Sequence, residues 1–186
     1  MLSDSSINPT VNLGSGLLNN LLIMLLSAIV PLIIGIGLTI LVGKVEKKGL
    51  RIPLRIVGTM FYSLAPIALL LFLFFNVFGV ARAENAGMIS VILTIMISHL
   101  GFFMIFYDAS GSIKKNIVVN IMGLFSSTFL WSMAGSFVGV HEIISCAKMI
   151  SGKAFEFGVY GTVLLICFAI LAALNIPRMI LKEVMK

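Results

Sequence analysis

One side chain that titrates near neutral pH, His99, stands inside the long apolar runs of this sequence. An ionisable group at membrane depth is by default a candidate for proton transfer or ligand contact. A relay needs a second group at helical spacing, and Asp108 lies nine residues further on. That is too far to pair within one helix, so the residues favour packing or an interhelical hydrogen bond. Hydroxyls gather in a later run, at Ser126, Ser127, Thr128, Ser132 and Ser136. Thr128, Ser132 and Ser136 recur every four residues, which places them on one stripe of a helix. A second stripe at that spacing reads Gly123, Ser127, Trp131, Gly135 and Gly139. Small residues let backbones approach closely, whereas hydroxyls lining a route offer hydrogen bonds without a buried charge. Both readings stay open; under the second, Thr128, Trp131, Ser132 and Ser136 line a substrate pathway. Trp131, the one tryptophan of the chain, falls midway along the run and not in an interfacial belt.

Other chemistry is missing from the sequence. It has no phosphate-cradling loop, no carboxylate pair at useful spacing and no nucleophile–base set. Cys146 sits in a polar gap and Cys167 deep in an apolar run, with no metal-ligand spacing between them. The expectation is a chain that is not an enzyme and carries no cofactor or metal of its own.

These residues need elements to hold them, and the composition says what kind. Of 186 residues 60% are hydrophobic and only 11% charged, against roughly a quarter charged in an average globular chain. A cytosolic enzyme, a disordered chain and a disulfide scaffold are excluded together. The net charge of +6 does not indicate nucleic acid, because the charges lie in short gaps between apolar runs and form no basic face. At the N-terminus, Met1–Thr10 holds Asp4 and no Lys or Arg. The positive region of a cleaved signal is therefore lacking, and the first run is read as a retained span.

A helix crosses the hydrocarbon core with about 20 apolar residues. Five segments meet that length, at about 17–42, 56–80, 88–107, 117–140 and 157–176. Their continuous apolarity excludes the alternation of a β-barrel. The expected fold is an all-α integral membrane protein, one transmembrane domain over residues 1–186. Lys and Arg near helix ends favour the cytoplasmic side. With the first gap inside, ten basic residues stay inside and three lie outside. The N-terminus is then outside and the C-terminus inside. Pro31 and Pro66 fall within the first two spans, as packing kinks or as bends lining a route. Residues 142–158 form an outer gap in which Glu142, Ile143, Ile144, Ala147, Met149 and Ile150 suit a short amphipathic helix on the membrane. It is either plain connection or a docking surface.

The stretch Ser136-Phe137-Val138-Gly139-Val140-His141-Glu142-Ile143, followed by Ala147, Ser151, Phe155 and Val159-Tyr160, resembles the permease subunits of ABC amino-acid importers. That family reads Ser-Val-Ile-Gly-Val-Pro-Glu-Leu at this place. The second span, with Pro66, Leu71-Phe72-Leu73-Phe74-Phe75 and Phe78-Gly79, looks like the family's Arg-Gly-Thr-Pro helix. Five spans with an external N-terminus also match its core. Departures accompany the likeness: Ser63-Leu64-Ala65 replaces Arg-Gly-Thr, and Leu130-Trp131 stands where the family has a Lys-Asp/Glu pair. The Glu-Ala-Ala…Gly coupling helix should lie between spans three and four, where only 108–116 are available.

The resemblance implies half of a permease dimer, homo- or heterodimeric, in the inner membrane of a bacterium. It would pass a small solute, an amino acid by likeness, delivered by an extracytoplasmic solute-binding protein. ATP would be hydrolysed on separate ATP-binding subunits. On that reading Tyr62 and Pro66 flank a gate, and Glu142 and Lys148 face the external partner. A loop-bearing second permease then supplies the ATPase contact, or Lys47, Lys48 and Arg51 substitute for it. The alternative is a non-transporting membrane scaffold or regulatory subunit of a complex.

Overall fold

The computed structural model describes the backbone of residues 12–44, 53, 56–57, 59–60, 66–78, 85–110, 113–154 and 158–184. Side chains are described for 12–35, 37, 53, 56–57, 59–60, 66–78, 85–100, 118–152 and 158–184. Among these residues the chain is helical and contains no strand.

Helix α1, Leu13–Lys44, opens on Asn12. The Asn12 carboxamide accepts the Ser15 N–H while the Ser15 hydroxyl approaches the Asn12 backbone. This reciprocal cap satisfies donors that the first turn leaves over. Pro31 lies inside the helix and withholds the N–H that would reach the carbonyl four residues back. Pro66 opens the short helix α2, Pro66–Phe72, at the position where its fixed φ suits a first turn. The chain continues in π-helical turns over Leu73–Phe78. Asn85, with φ of 59°, then precedes α3, Ala86–Ser110.

Helix α4 spans Ile113–Ser132 and tightens into a 3₁₀ segment, Met133–Val138. It ends on Gly139, whose φ of 76° is left-handed and whose successor Val140 donates to the Gly135 carbonyl. A shorter helix α5, Ile143–Ala154, and the long α6, Gly158–Val184, follow.

Polarity runs inside out. Asn20, Ser27, Ser90, Thr94, His99, Ser126, Thr128 and Ser132 are buried. Leu164, Leu165 and Phe168 on α6 are about seven-tenths exposed, and Leu18, Leu25 and Ile33 on α1 face outward too. A soluble monomer does not expose an apolar surface this continuous. Lipid accounts for it. Among the described residues three helices are long and apolar enough to cross a membrane: Leu13–Gly35, Val118–Val138 and Gly158–Val184. Within the described residues Pro66–Phe78 and Ala86–Leu100 are shorter apolar helices. Helical membrane protein is therefore the architecture.

Two apolar clusters fill the bundle. Ile23, Leu70, Val91, Ile95 and Val138 join α1, α2, α3 and the 3₁₀ segment. Leu13, Ile143, Cys146, Ala147, Ile150, Val159 and Val163 join the start of α1 to α5 and α6. The apolar side of α5 is thus packed on its own bundle. A short helix is present where the sequence suggests an amphipathic one, and its apolar face is turned to protein.

Candidate functional site

Packing alone specifies little between helices in lipid, because hydrocarbon is as apolar as leucine. Polar contacts therefore do more of the positioning, and here they converge on α4. Its Ser132 Oγ accepts from Asn20 Nδ2 of α1 at 2.7 Å. Ser127 Oγ lies 2.9 Å from His99 Nε2 of α3. Ser126 Oγ accepts from Asn175 Nδ2 of α6 at 2.8 Å. Three serines thus tie one helix to three others.

The His99 tautomer follows from geometry. Nδ1 lies 2.8 Å from the Ile95 carbonyl, which can only accept, so Nδ1 carries a hydrogen. In the neutral ring Nε2 is then an acceptor, and the Ser127 hydroxyl donates to it. The contact joins helices, as the residue's isolation from any acid at helical spacing suggests.

The hydroxyl stripe is occupied along its length. Thr128 Oγ1 donates to the Leu124 and Phe125 carbonyls at 3.0 and 3.1 Å. Ser132 Oγ donates to Phe129 O at 2.7 Å and Ser136 Oγ to Met133 O at 3.2 Å. Thr128 and Ser132 are fully buried, while Ser136 is half-buried. Trp131 is half-buried as well and packs on the cluster of Ile23, Leu70, Val91, Ile95 and Val138. The four-residue stripes also break at Met133. A 3₁₀ helix turns in about three residues, so Ser136, Gly135 and Gly139 leave the lines on which an unbroken α-helix would place them.

The densest polar site is the corner between α4 and α5. Asn20 Oδ1 accepts the Ile143 N–H at 2.9 Å, and Asn19 Nδ2 donates to the His141 carbonyl at 2.8 Å. Gly16 lies one turn before on α1, where an added Cβ would stand 2.9 Å from the Ile143 backbone and from Cys146 Sγ. Close approach there requires glycine. Glu142 is fully buried and caps α5. Its Oε2 accepts the Ile144 N–H at 2.9 Å and its Oε1 the Ser145 N–H at 2.7 Å. Carboxylates at a helix start are favoured by the unbonded N–H groups and the dipole. Burial pushes the Glu142 pKa up, against the two backbone bonds, the Asn20 amide and the Lys148 charge. Burial outweighs them.

Of the residues expected at an outer docking surface, Lys148 is exposed and Glu142 is not. The acid is turned inward because α5 needs its cap. Pro66 sits half-buried at the start of α2; Tyr62, Lys47, Lys48 and Arg51 lie outside the described residues. Asn20 and Asn175 are the positioning residues that charge-based reading passes over. The Asn19-Asn20 doublet inside an apolar run was the available signal. Among the described residues no group of His, Cys, Asp and Glu is arranged to hold a metal ion. The site can tie helices and hold a proton at Glu142, and it positions the corner against α1. No protein-family model, curated protein or solved structure matches the chain.

Proposed function

We propose that the chain is a membrane subunit of an ABC-type importer, one half of a permease dimer that passes a small solute, an amino acid by resemblance. The observation that carries this reading is the corner at 136–143. The stretch with the family likeness is also the one that Asn19 and Asn20 of α1 hold, through the His141 carbonyl and the Ile143 N–H. Five spans with N-terminus outside and C-terminus inside belong to the same proposal. Helix α3, at 25 residues, has the length for a crossing at about 1.5 Å per residue. The site is a bacterial inner membrane. An external solute-binding protein would meet the face that bears Lys148.

Helix α3 ends at Ser110 and α4 begins at Ile113. Two intervening residues leave no place for a coupling helix, so in this proposal a second, loop-bearing permease engages the ATPase. Trp131 and Ser136 keep partial exposure, and the route passes them at the interface between the two halves. ATP is hydrolysed on the partner subunits, and this chain supplies no catalytic group. A second reading, a non-transporting scaffold or regulatory subunit, is favoured by one observation: the hydroxyls of Thr128 and Ser132 are buried and bonded.

The test is co-purification of the tagged chain with the ATPase and loop-bearing permease encoded nearest to it, followed by solute uptake in vesicles. The importer reading expects ATPase capture only when that permease is co-expressed, and uptake that needs both. Capture by this chain alone contradicts the heterodimer. Assembly with wild-type uptake after the chain is deleted supports the scaffold.

A further inference from the structure

The N-terminal half of α4 and the C-terminal half of α6 form a groove whose polar groups the proposed transport reading does not use. Arg178 lays its guanidinium over Gly123: a Cβ on that glycine would lie 2.9 Å from Cζ and 3.0 Å from Nη2. One turn away Asn175 reaches Ser126. Stepping three residues back along α6 thus corresponds to three forward along α4, an antiparallel register. Continued the other way, the register sets exposed Lys182 beside Val119.

In the sequence the apolar run of α4 opens at Ile117 after Lys114, Lys115 and Asn116, so Gly123 lies roughly 9 Å inside it at 1.5 Å per residue. A guanidinium at that depth has five N–H donors and a full charge to satisfy. Arg178 is half-buried, and a charge at that depth without a partner is costly in a bilayer. Among the described residues Arg178 makes no ion pair or hydrogen bond. Asn175 turns its Nδ2 to Ser126 Oγ and the Leu171 carbonyl, and a guanidinium, which only donates, gains nothing from that amide nitrogen. Lys182 adds a second cation one turn nearer the helix end, on the same face by i, i+4 spacing.

We propose that this groove binds the phosphate of an anionic phospholipid, with Arg178 as its inner contact and Lys182 as its outer one. A fork of N–H groups matches phosphate oxygens in pairs, and the acyl chains then cover the exposed Ile176, Met179 and Ile180 beside it. The glycine at 123 is what admits the guanidinium to the groove. The inference rests on membrane embedding and not on transport.

The full chain, purified in detergent, is melted with added phosphatidylglycerol, with phosphatidylcholine, and with inorganic phosphate. Phosphatidylglycerol should raise Tm by several degrees more than phosphatidylcholine, and inorganic phosphate should leave it unchanged. Arg178→Gln should reduce the phosphatidylglycerol response to the phosphatidylcholine level. Should that variant fail to fold, Lys182→Gln, at an exposed position, must shrink the difference between the two lipids. Equal responses to both lipids, an equal rise with inorganic phosphate, or an undiminished difference in the folded variants overturns the site. A lipid response unchanged in Arg178→Gln, with loss of a dimer on native mass spectra, would assign the guanidinium to a second copy and overturn it too.

Discussion

The Asn20 carboxamide donates to Ser132 Oγ at 2.7 Å while accepting the Ile143 N–H at 2.9 Å. One side chain thus fixes α1 to the end of α4 and to the start of α5. Asn20→Leu leaves the Ile143 N–H buried without its acceptor, a cost of about 1–3 kcal/mol. Thermal unfolding in detergent should show a clear fall in Tm, whereas Leu22→Ala, at an exposed position, has no such bond to lose. An unchanged Tm for Asn20→Leu would mean that the corner does not depend on this contact.

The serines of the bundle should divide by partner. Ser127→Ala removes the His99 contact and should lower stability by roughly 0.6–2 kcal/mol, the range for hydrogen bonds between membrane helices. Ser98 is buried, and among the described residues its hydroxyl has no hydrogen-bond partner, so Ser98→Ala should be neutral or stabilising. A double-mutant cycle of Ser127→Ala with His99→Phe checks the first; equal losses for Ser127 and Ser98 would contradict the pairing.

Glu142 sets a pH dependence with a definite sign. Its folded pKa is raised above the ordinary 4.5 by burial, so the folded chain retains a proton that the unfolded chain has released. The stability from this group is full below about pH 4.5 and is lost as pH rises through the raised value. Tm measured across that window should fall more steeply in the native chain than in Glu142→Gln. Parallel profiles would show that the carboxyl does not titrate in the folded corner.

Glycines on α1 and α5 should respond oppositely to one added methyl. At Gly16 the Cβ meets backbone atoms of Ile143 at 2.9 Å, and Gly16→Ala should push α5 from α1 and lower Tm. Gly152 is helical and exposed with nothing within 4 Å. Gly152→Ala should gain up to about 1 kcal/mol of helix propensity. Tm of the two variants, measured side by side, decides the matter.

The membrane character was legible in the apolar runs, and the helices fall where those runs lie. His99 and the serines of the fourth run were visible as polar groups in an apolar setting, but their partners were not. Ser132 bonds a residue 112 positions away, a pairing that only the folded register provides. Asn20 and Asn175 carry no charge, and only the Asn19-Asn20 doublet marks the first of them. The switch to a 3₁₀ helix at Met133 likewise has no signature at the level of spacing, and it shifts Ser136 off the stripe. Glu142 reads as a surface acid in a polar gap; it is buried because the N–H groups of α5 require an acceptor.

Sidedness of the turn at Asn85 and of Lys148 on α5 tests the five-span arrangement most directly. Both residues are exposed, whereas Ser151 is buried and unsuited to labelling. In a chain with Cys146→Ala and Cys167→Ala, single cysteines at Asn85 and Lys148 are treated in intact cells with a membrane-impermeant maleimide. Five spans with an external N-terminus predict that both are labelled from outside. Labelling at Lys148 with none at Asn85, even after the cells are opened, would place α2 and α3 in a hairpin that does not cross, and would contradict the arrangement.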